Sequence, residues 1–288
     1  ERAKRGASAG VYIQSFMHYC LAIGEKGDYQ EAITLLKEAR EYGERADSRY
    51  GLLKIDNTLG WAYLEICNFE TAIHHNEMSL MSTDKVRDVS TSTLSEVDSF
   101  GRLNLGDTYA MMGDFSRAKG YYEQAYENAK DNQYFLARTR WKPRCLIALG
   151  ELWLALGDTQ KAQEFVVEVE ADGFTEGFPF KKHRARLNRL RARLSIQRGD
   201  LAVAAEQLQS ALDDARSVNN PTQLWKTLQT IGDLNVAAAN VTEAQANYLK
   251  AASVVEKVAE GLTDSSLRET FLQSLPIQRV LEQAKAPV

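Results

Sequence analysis

Apolar residues recur along this chain at i, i+4 and i+7, in blocks that begin again about every forty residues. That period predicts amphipathic helices in series. Each block is punctuated in the same way: Gly27-Asp28, Cys67-Asn68, Gly113-Asp114, Gly157-Asp158, Gly199-Asp200 and Ala239-Asn240. An alanine follows each pair, at positions 32, 72, 118, 162, 204 and 244, with intervals of 40, 46, 44, 42 and 40 residues. The small residue suits the left-handed backbone that closes a helix, and the Asp or Asn after it suits the cap of the next one. Asp28 with Glu31 three residues on has the form of a capping box. A large residue comes four after the alanine (Leu36, Tyr122, Val166, Leu208, Tyr248), and often another alanine after that (Ala39, Ala125, Ala211, Ala251). Self-similarity at this period predicts an array of helical hairpins and not one closed core.

The helix before each turn carries its own mark: Leu59-Gly60 with Tyr63, Leu105-Gly106 with Tyr109, Leu149-Gly150 with Trp153, and Ile231-Gly232. Glycine inside a helix costs about 1 kcal/mol relative to alanine, so its recurrence calls for a packing reason. Close approach of the two helices, Gly against Ala, is the expected one.

With Leu-Gly, an aromatic residue three later, Ala, a bulky residue and Ala in these relative positions, the chain resembles the tetratricopeptide family over roughly residues 11 to 260. The longer period is similar to that of the kinesin light chains, the Leu-Gly-Asn-rich polarity adaptors and the maltose-activator-like regulators of bacteria. The fifth copy departs from the pattern, with Arg191-Ala192 in place of Leu-Gly. The resemblance implies an all-α fold: a right-handed superhelical solenoid of about six hairpins over 11–260, followed by a capping segment over 261–288. In that segment Asp264 or Ser265 caps a short helix lined by Leu267, Phe271 and Leu275, and Pro276 starts another. Leu267-Arg268-x-x-Phe271-Leu272 before that proline resembles the end of the repeat region in large bacterial signalling ATPases. A repeat array that follows an upstream effector domain is the implied setting, and the absence of an initial Met fits a piece of a longer protein.

The 288 residues, 44% of them hydrophobic and only five of them proline, supply ample core. No apolar run approaches the roughly 18 residues that span a bilayer, and the N-terminus lacks the apolar stretch of a signal peptide, so a cytoplasmic location without membrane association is expected. Cys20, Cys67 and Cys145 have no paired spacing, which argues against disulfides or a zinc site, and Cys20, in the slot that Gly fills in later copies, reads as a core residue. His74 and His75, adjacent on a helix, diverge too far to share a metal. Without a phosphate-cradling loop, a Gly-x-Ser-x-Gly elbow or a His-Glu-x-x-His, the reading is a non-enzymatic chain with no catalytic residue, metal or cofactor.

Binding remains. Taking the first helix of each hairpin in repeat phase, the groove-facing positions are Gln14 and Met17, Asn57 and Trp61, Leu103 and Asp107, Ile147 and Glu151, then Arg186, Arg189 and Arg193, and finally Gln229 and Asp233. Asn57, Asp107 and Glu151 would supply hydrogen bonds, Trp61 apolar area, and the three arginines a grip on carboxylates. The arginines belong to the run 181–193, which holds seven Lys or Arg in a chain of net charge −4. No aromatic residue is interleaved for base stacking, which ranks an acidic protein or peptide, or an upstream domain of the same polypeptide, above nucleic acid. The expected function is a protein-interaction or ligand-sensing module of a bacterial signalling regulator. The alternatives are a freestanding peptide-binding adaptor, or a protein that binds nucleic acid or an acidic ligand through the arginine helix.

Overall fold

The structure, a computed structural model, describes residues 9–82, 91–130, 137–171 and 180–285. All of its regular structure is helical among the described residues, and it divides into two compact units, Glu1–Lys142 and Pro143–Val288. In the first unit the hairpins are α1 (Ala9–Gly24) with α2 (Tyr29–Arg45), α3 (Arg49–Glu65) with α4 (Phe69–Ser82), and α5 (Thr91–Met112) with α6 (Phe115–Lys130), followed by a turn of π-helix over Ala137–Trp141. In the second they are α7 (Lys142–Ala155) with α8 (Thr159–Ala171), α9 (Lys181–Arg198) with α10 (Leu201–Val218), and α11 (Pro221–Ala237) with α12 (Val241–Gly261). Two short helices follow, α13 (Ser265–Gln273) and α14 (Leu275–Lys285). Within the first unit α1 to α6 pack each on the next, and within the second α8 to α14 do; first helices also touch one another: α1 on α3, α3 on α5, and α9 on α11.

All six turns take the left-handed conformation predicted for them. Gly27, Gly113, Gly157 and Gly199 have φ between 83° and 100°, and Cys67 and Ala239, which pay a Cβ penalty there, have φ of 54° and 57°. The caps follow less closely. Asn68, Asp114 and Asp158 accept from the amides of Thr71, Arg117 and Lys161, whereas Asp28, Asp200 and Asn240 make no side-chain cap bond. The capping box expected at Asp28 is therefore not formed. Caps also occur outside the repeated turn, at Asn220 before Pro221 and at Asp264, which accepts from Ser266 and Leu267.

The repeated alanines are all fully buried, as are the three cysteines, and burial pushes the Cys20 thiol up to about 11. The histidines divide: His74 is exposed, while His75 stacks on Tyr63 and lies 2.9 Å from Asp56, which also accepts from Arg40. At the C-terminus Phe271 is buried, but Leu275, expected beside it, is 54% exposed; Ile277, Val280 and Ala284 fill the inward face instead. No helix is long and apolar enough to cross a membrane among the described residues. The polar stretch 83–90 and the phenylalanine-containing stretch 172–179 lie outside the described residues.

Candidate binding surface of the first helices

Of the glycines of the first helices, Gly24 and Gly150 approach the marker alanines Ala32 and Ala162, whereas Gly60, Gly106 and Gly232 face larger side chains. A Cβ on Gly106 or Gly232 would come closer than 3.0 Å to the ring of Tyr122 or Tyr248, the residue four beyond the marker alanine. At Gly60 the same space is taken by Asn76, and at Gly150 by Leu190, 2.7 Å from the added atom. The missing side chain lets a tyrosine lie flat across the helix, and this delivers its hydroxyl to the residue after the glycine. Tyr122 donates to Asp107 at 2.7 Å, and Tyr248 donates to Asp233 at 2.8 Å. One device thus fixes a carboxylate in the third hairpin and again in the sixth. Asp233 is open to solvent, but the surrounding protein displaces enough water to hold its carboxyl above the ordinary value. The phenol of Tyr248 is pushed up as well, first by desolvation and then by the carboxylate it serves.

The position after the small residue is Trp61, Asp107, Glu151, Arg193 and Asp233 in hairpins two to six. Trp61 is 4% exposed: its ring covers Gly24, and its indole N–H donates to Glu65 at 2.9 Å. One turn earlier Asn57, 2% exposed, donates to the carbonyl of Val97 on α5, and its own carbonyl accepts from Asn104. Neither residue faces an open groove, and Met17, Leu103 and Ile147 are core as well. The reason is that α3 is buried around its whole circumference from Ile55 to Leu64, by its own hairpin partner and by the first helices on either side.

Polar residues stay accessible in the second unit. Glu151 is half-buried and accepts from both Nε and Nη2 of Arg186 at 2.6 Å. Gln229 donates to Gln283 of α14 at 2.5 Å, so the terminal helix reaches the face of α11. Much of the basic run is spent on neighbours: Lys181 on Ser217, Arg184 on Asp214, and Arg191 on Glu170 and Asn188. Two cations differ. Arg193 is exposed and pairs with no carboxylate among the described residues. Arg189 is only 5% exposed and engages Nη1 alone, with the Thr227 hydroxyl at 3.2 Å and the Gln223 carbonyl at 3.5 Å. A guanidinium has five N–H donors, and burial without a carboxylate partner pulls this one down to about 10. The side-chain oxygen of Gln223 is buried with no donor.

The tetratricopeptide repeat family matches residues 102–132, the stretch that contains Gly106, Asp107 and Tyr122. The fold is similar to that of the Rap conjugation gene regulator of plasmid pLS20, solved in complex with the Phr* peptide (TM-score 0.59, 16% identity, 89% of this chain and 70% of that one). It is similar as well to a Rap protein complexed with competence and sporulation factor (0.59, 13%, 94% and 74%) and to BtubC from P. vanneervenii (0.52, 16%, 85% and 91%). Residues 102–132 thus match one tetratricopeptide repeat, and the fold is that of a helical-hairpin solenoid. No curated protein sequence matches the chain.

The third and sixth copies hold two side chains whose role sequence reasoning missed, Tyr122 and Tyr248, which bond the neighbouring carboxylates. The signal was present, since both copies pair Gly-Asp with a tyrosine sixteen residues after the glycine. The second and fourth repeats keep the glycine but fill its space with Asn76 or Leu190, and no tyrosine hydroxyl holds the next residue. Gln223 and Thr227, which surround Arg189, carry no pattern that separates them from other buried polar residues of α11.

Proposed function

We propose that the chain is a non-catalytic scaffold that binds a peptide or protein through accessible residues of its first helices, Asp107 in the first unit and, separately, Glu151, Arg186, Arg193, Gln229 and Asp233 in the second, where Arg189 lies buried beneath them. The observation that carries this reading is the pair of tyrosine-held carboxylates at Asp107 and Asp233. A carboxylate fixed before the ligand arrives loses little conformational entropy on binding, and the second oxygen of Asp233 can accept from a ligand N–H. A role confined to stability does not require an exposed carboxylate at the end of that hydrogen bond. Asn57 and Trp61 act indirectly, by setting the packing of α3 against its neighbours. The two Rap proteins, of the same fold and each solved with a bound factor, support a peptide or protein as the ligand. The array over 11–260 with its cap over 261–288 serves as the sensing end of a cytoplasmic bacterial signalling regulator, and binding is relayed to an upstream domain of the same polypeptide.

The test is affinity capture from the source cells with the wild-type chain beside Asp107→Lys and Arg193→Glu, followed by calorimetry with the purified captured protein. A partner that binds the wild type and is lost with either charge reversal supports the reading. A partner held equally by all three places the interface elsewhere.

A further inference from the structure

Helix α1 contains no Asp, Glu, Lys or Arg, whereas every other helix among the described residues contains at least one. A helix without charge on any side belongs in a protein interior. One face of α1 is nevertheless open: Val11, Ser15, His18, Tyr19 and Ala22 are exposed, Val11 by 54% and Tyr19 by 50%. The repeat register shows what such a face carries elsewhere in the first unit. Forty residues on, the second hairpin has Gly51, Ile55, Thr58, Leu59 and Ala62 in the same places, and all five are buried. Helices of the preceding hairpin provide the cover. In the third hairpin the counterpart of Ser15 is Gly101, where an added Cβ would stand 3.0 Å from Leu80 of α4 and 3.3 Å from Asn57 of α3. On α1 the same face, made of the same kind of residue, meets solvent.

We propose that this face pairs with the same face of a second copy of the chain, α1 against α1, antiparallel about a two-fold axis. Val11, Ser15, His18 and Ala22 have the alternating spacing of four and three residues that makes a coiled-coil seam. An antiparallel pair centred between Phe16 and Met17 sets Val11 against Ala22 of the second copy and Ser15 against His18 of the second copy, and the symmetry repeats both contacts. The face is thus complementary to itself, large residue over small and hydroxyl beside imidazole. Ser15 and His18 spend neither side chain on a hydrogen bond within the described residues. Tyr19 flanks the seam and adds apolar area. The absence of charge decides the occupant: two chains of net charge −4 meet here without bringing like charges together. A head-to-tail contact lacks that property, because the last helix, α14, exposes Arg279, Glu282 and Lys285, which an apolar face would strip of water. One helix per copy is a small interface, so the dimer is weak and reversible. The face shares no residue with the binding surface proposed above, and either reading can fail without the other.

The experiment is sedimentation velocity on the full chain over a dilution series from nanomolar to high micromolar concentration. The wild type is expected to pass from monomer to dimer in the micromolar range. Ala22→Glu and Val11→Lys, both at sites exposed in the single chain, are each expected to weaken dimerisation by about a hundredfold, because symmetry buries the unpaired charge twice. Thermal unfolding of either variant, measured at a concentration where the wild type is monomeric, is expected to match the wild type. Mixing the two variants is expected to restore a dimer, since the antiparallel register sets the introduced carboxylate against the introduced ammonium. Leu249→Glu, at an exposed site on α12, is expected to dimerise as the wild type does. A wild type that stays monomeric throughout, a dimer indifferent to Ala22→Glu and Val11→Lys, or variants that fail to pair on mixing would each overturn the proposal.

Discussion

Substituting Gly106 by alanine tests how the carboxylates are held. Intrinsic helix propensity alone predicts a gain of about 1 kcal/mol. The structure predicts the opposite, because the new methyl would come closer than 3.0 Å to the ring of Tyr122, itself 1% exposed and unable to swing into solvent without opening the hairpin. Overpacking costs about 1–3 kcal/mol, and losing the hydroxyl bond to Asp107 costs about 1.5–3 kcal/mol, the lower end applying because Asp107 is half-exposed. After subtracting the propensity gain, Gly106→Ala is expected to destabilise by about 2–3 kcal/mol. Gly120 is the internal control: it lies within α6 with nothing in the path of a Cβ, and its alanine variant is expected to gain up to about 1 kcal/mol. Equilibrium urea unfolding followed by circular dichroism reads both. Adding Tyr122→Val to Gly106→Ala relieves the overlap and is expected to recover part of the loss, giving a favourable coupling in the double-mutant cycle. Equal stabilisation by Gly106→Ala and Gly120→Ala would refute the steric argument and, with it, the reason given for a preset Asp107.

Three further outcomes follow from the same geometry. Arg189→Met removes a buried cation that lacks a carboxylate partner, so thermal unfolding is expected to show stability unchanged or raised by about 1–3 kcal/mol; a loss of that size would mean that the Thr227 and Gln223 contacts outweigh desolvation. The carboxyl of Asp233 is raised in the folded state, so its contribution is fully present below the ordinary aspartate value and is lost as pH rises through the folded value. Asp233→Asn should flatten that part of the stability profile in acid titrations monitored by circular dichroism, and an unchanged slope would contradict it. Ala239 occupies a left-handed turn at φ 57°, so Ala239→Gly is expected to stabilise by about 1 kcal/mol in urea unfolding, whereas Gly113→Ala, at φ 83°, should cost about as much.

The turns were legible because a reversal of direction has few solutions. Cys67 and Ala239 could be placed in register with four glycines, and they share the same backbone, since position within the repeat dictates the conformation whatever residue occupies it. Burial on the first helices was not legible to the same degree. Periodicity separates a buried stripe from an exposed one, but α3 has no exposed stripe over Ile55–Leu64, and an Asn that bridges helices looks in sequence like an Asn that awaits a ligand. The arginine run gave its charge but not its partners. Glu151, Glu170 and Asp214 lie 21 to 35 residues away along the chain, and only the fold reveals that three arginines answer them while Arg189 and Arg193 do not. The glycine rule was half right. Close approach was the correct cause, but the approaching group is the side chain four residues beyond the alanine at Gly60, Gly106 and Gly232, and Leu190 at Gly150.

The central claim is that ligands meet this chain on its first helices. Its most direct test is photo-cross-linking in the source cells from a benzoylphenylalanine placed singly at Asp107, Arg193, Val203 or Leu249, the last two being exposed residues of second helices. The account predicts a cross-linked protein or peptide through positions 107 and 193 and none through 203 or 249. Cross-links confined to 203 and 249 would contradict it.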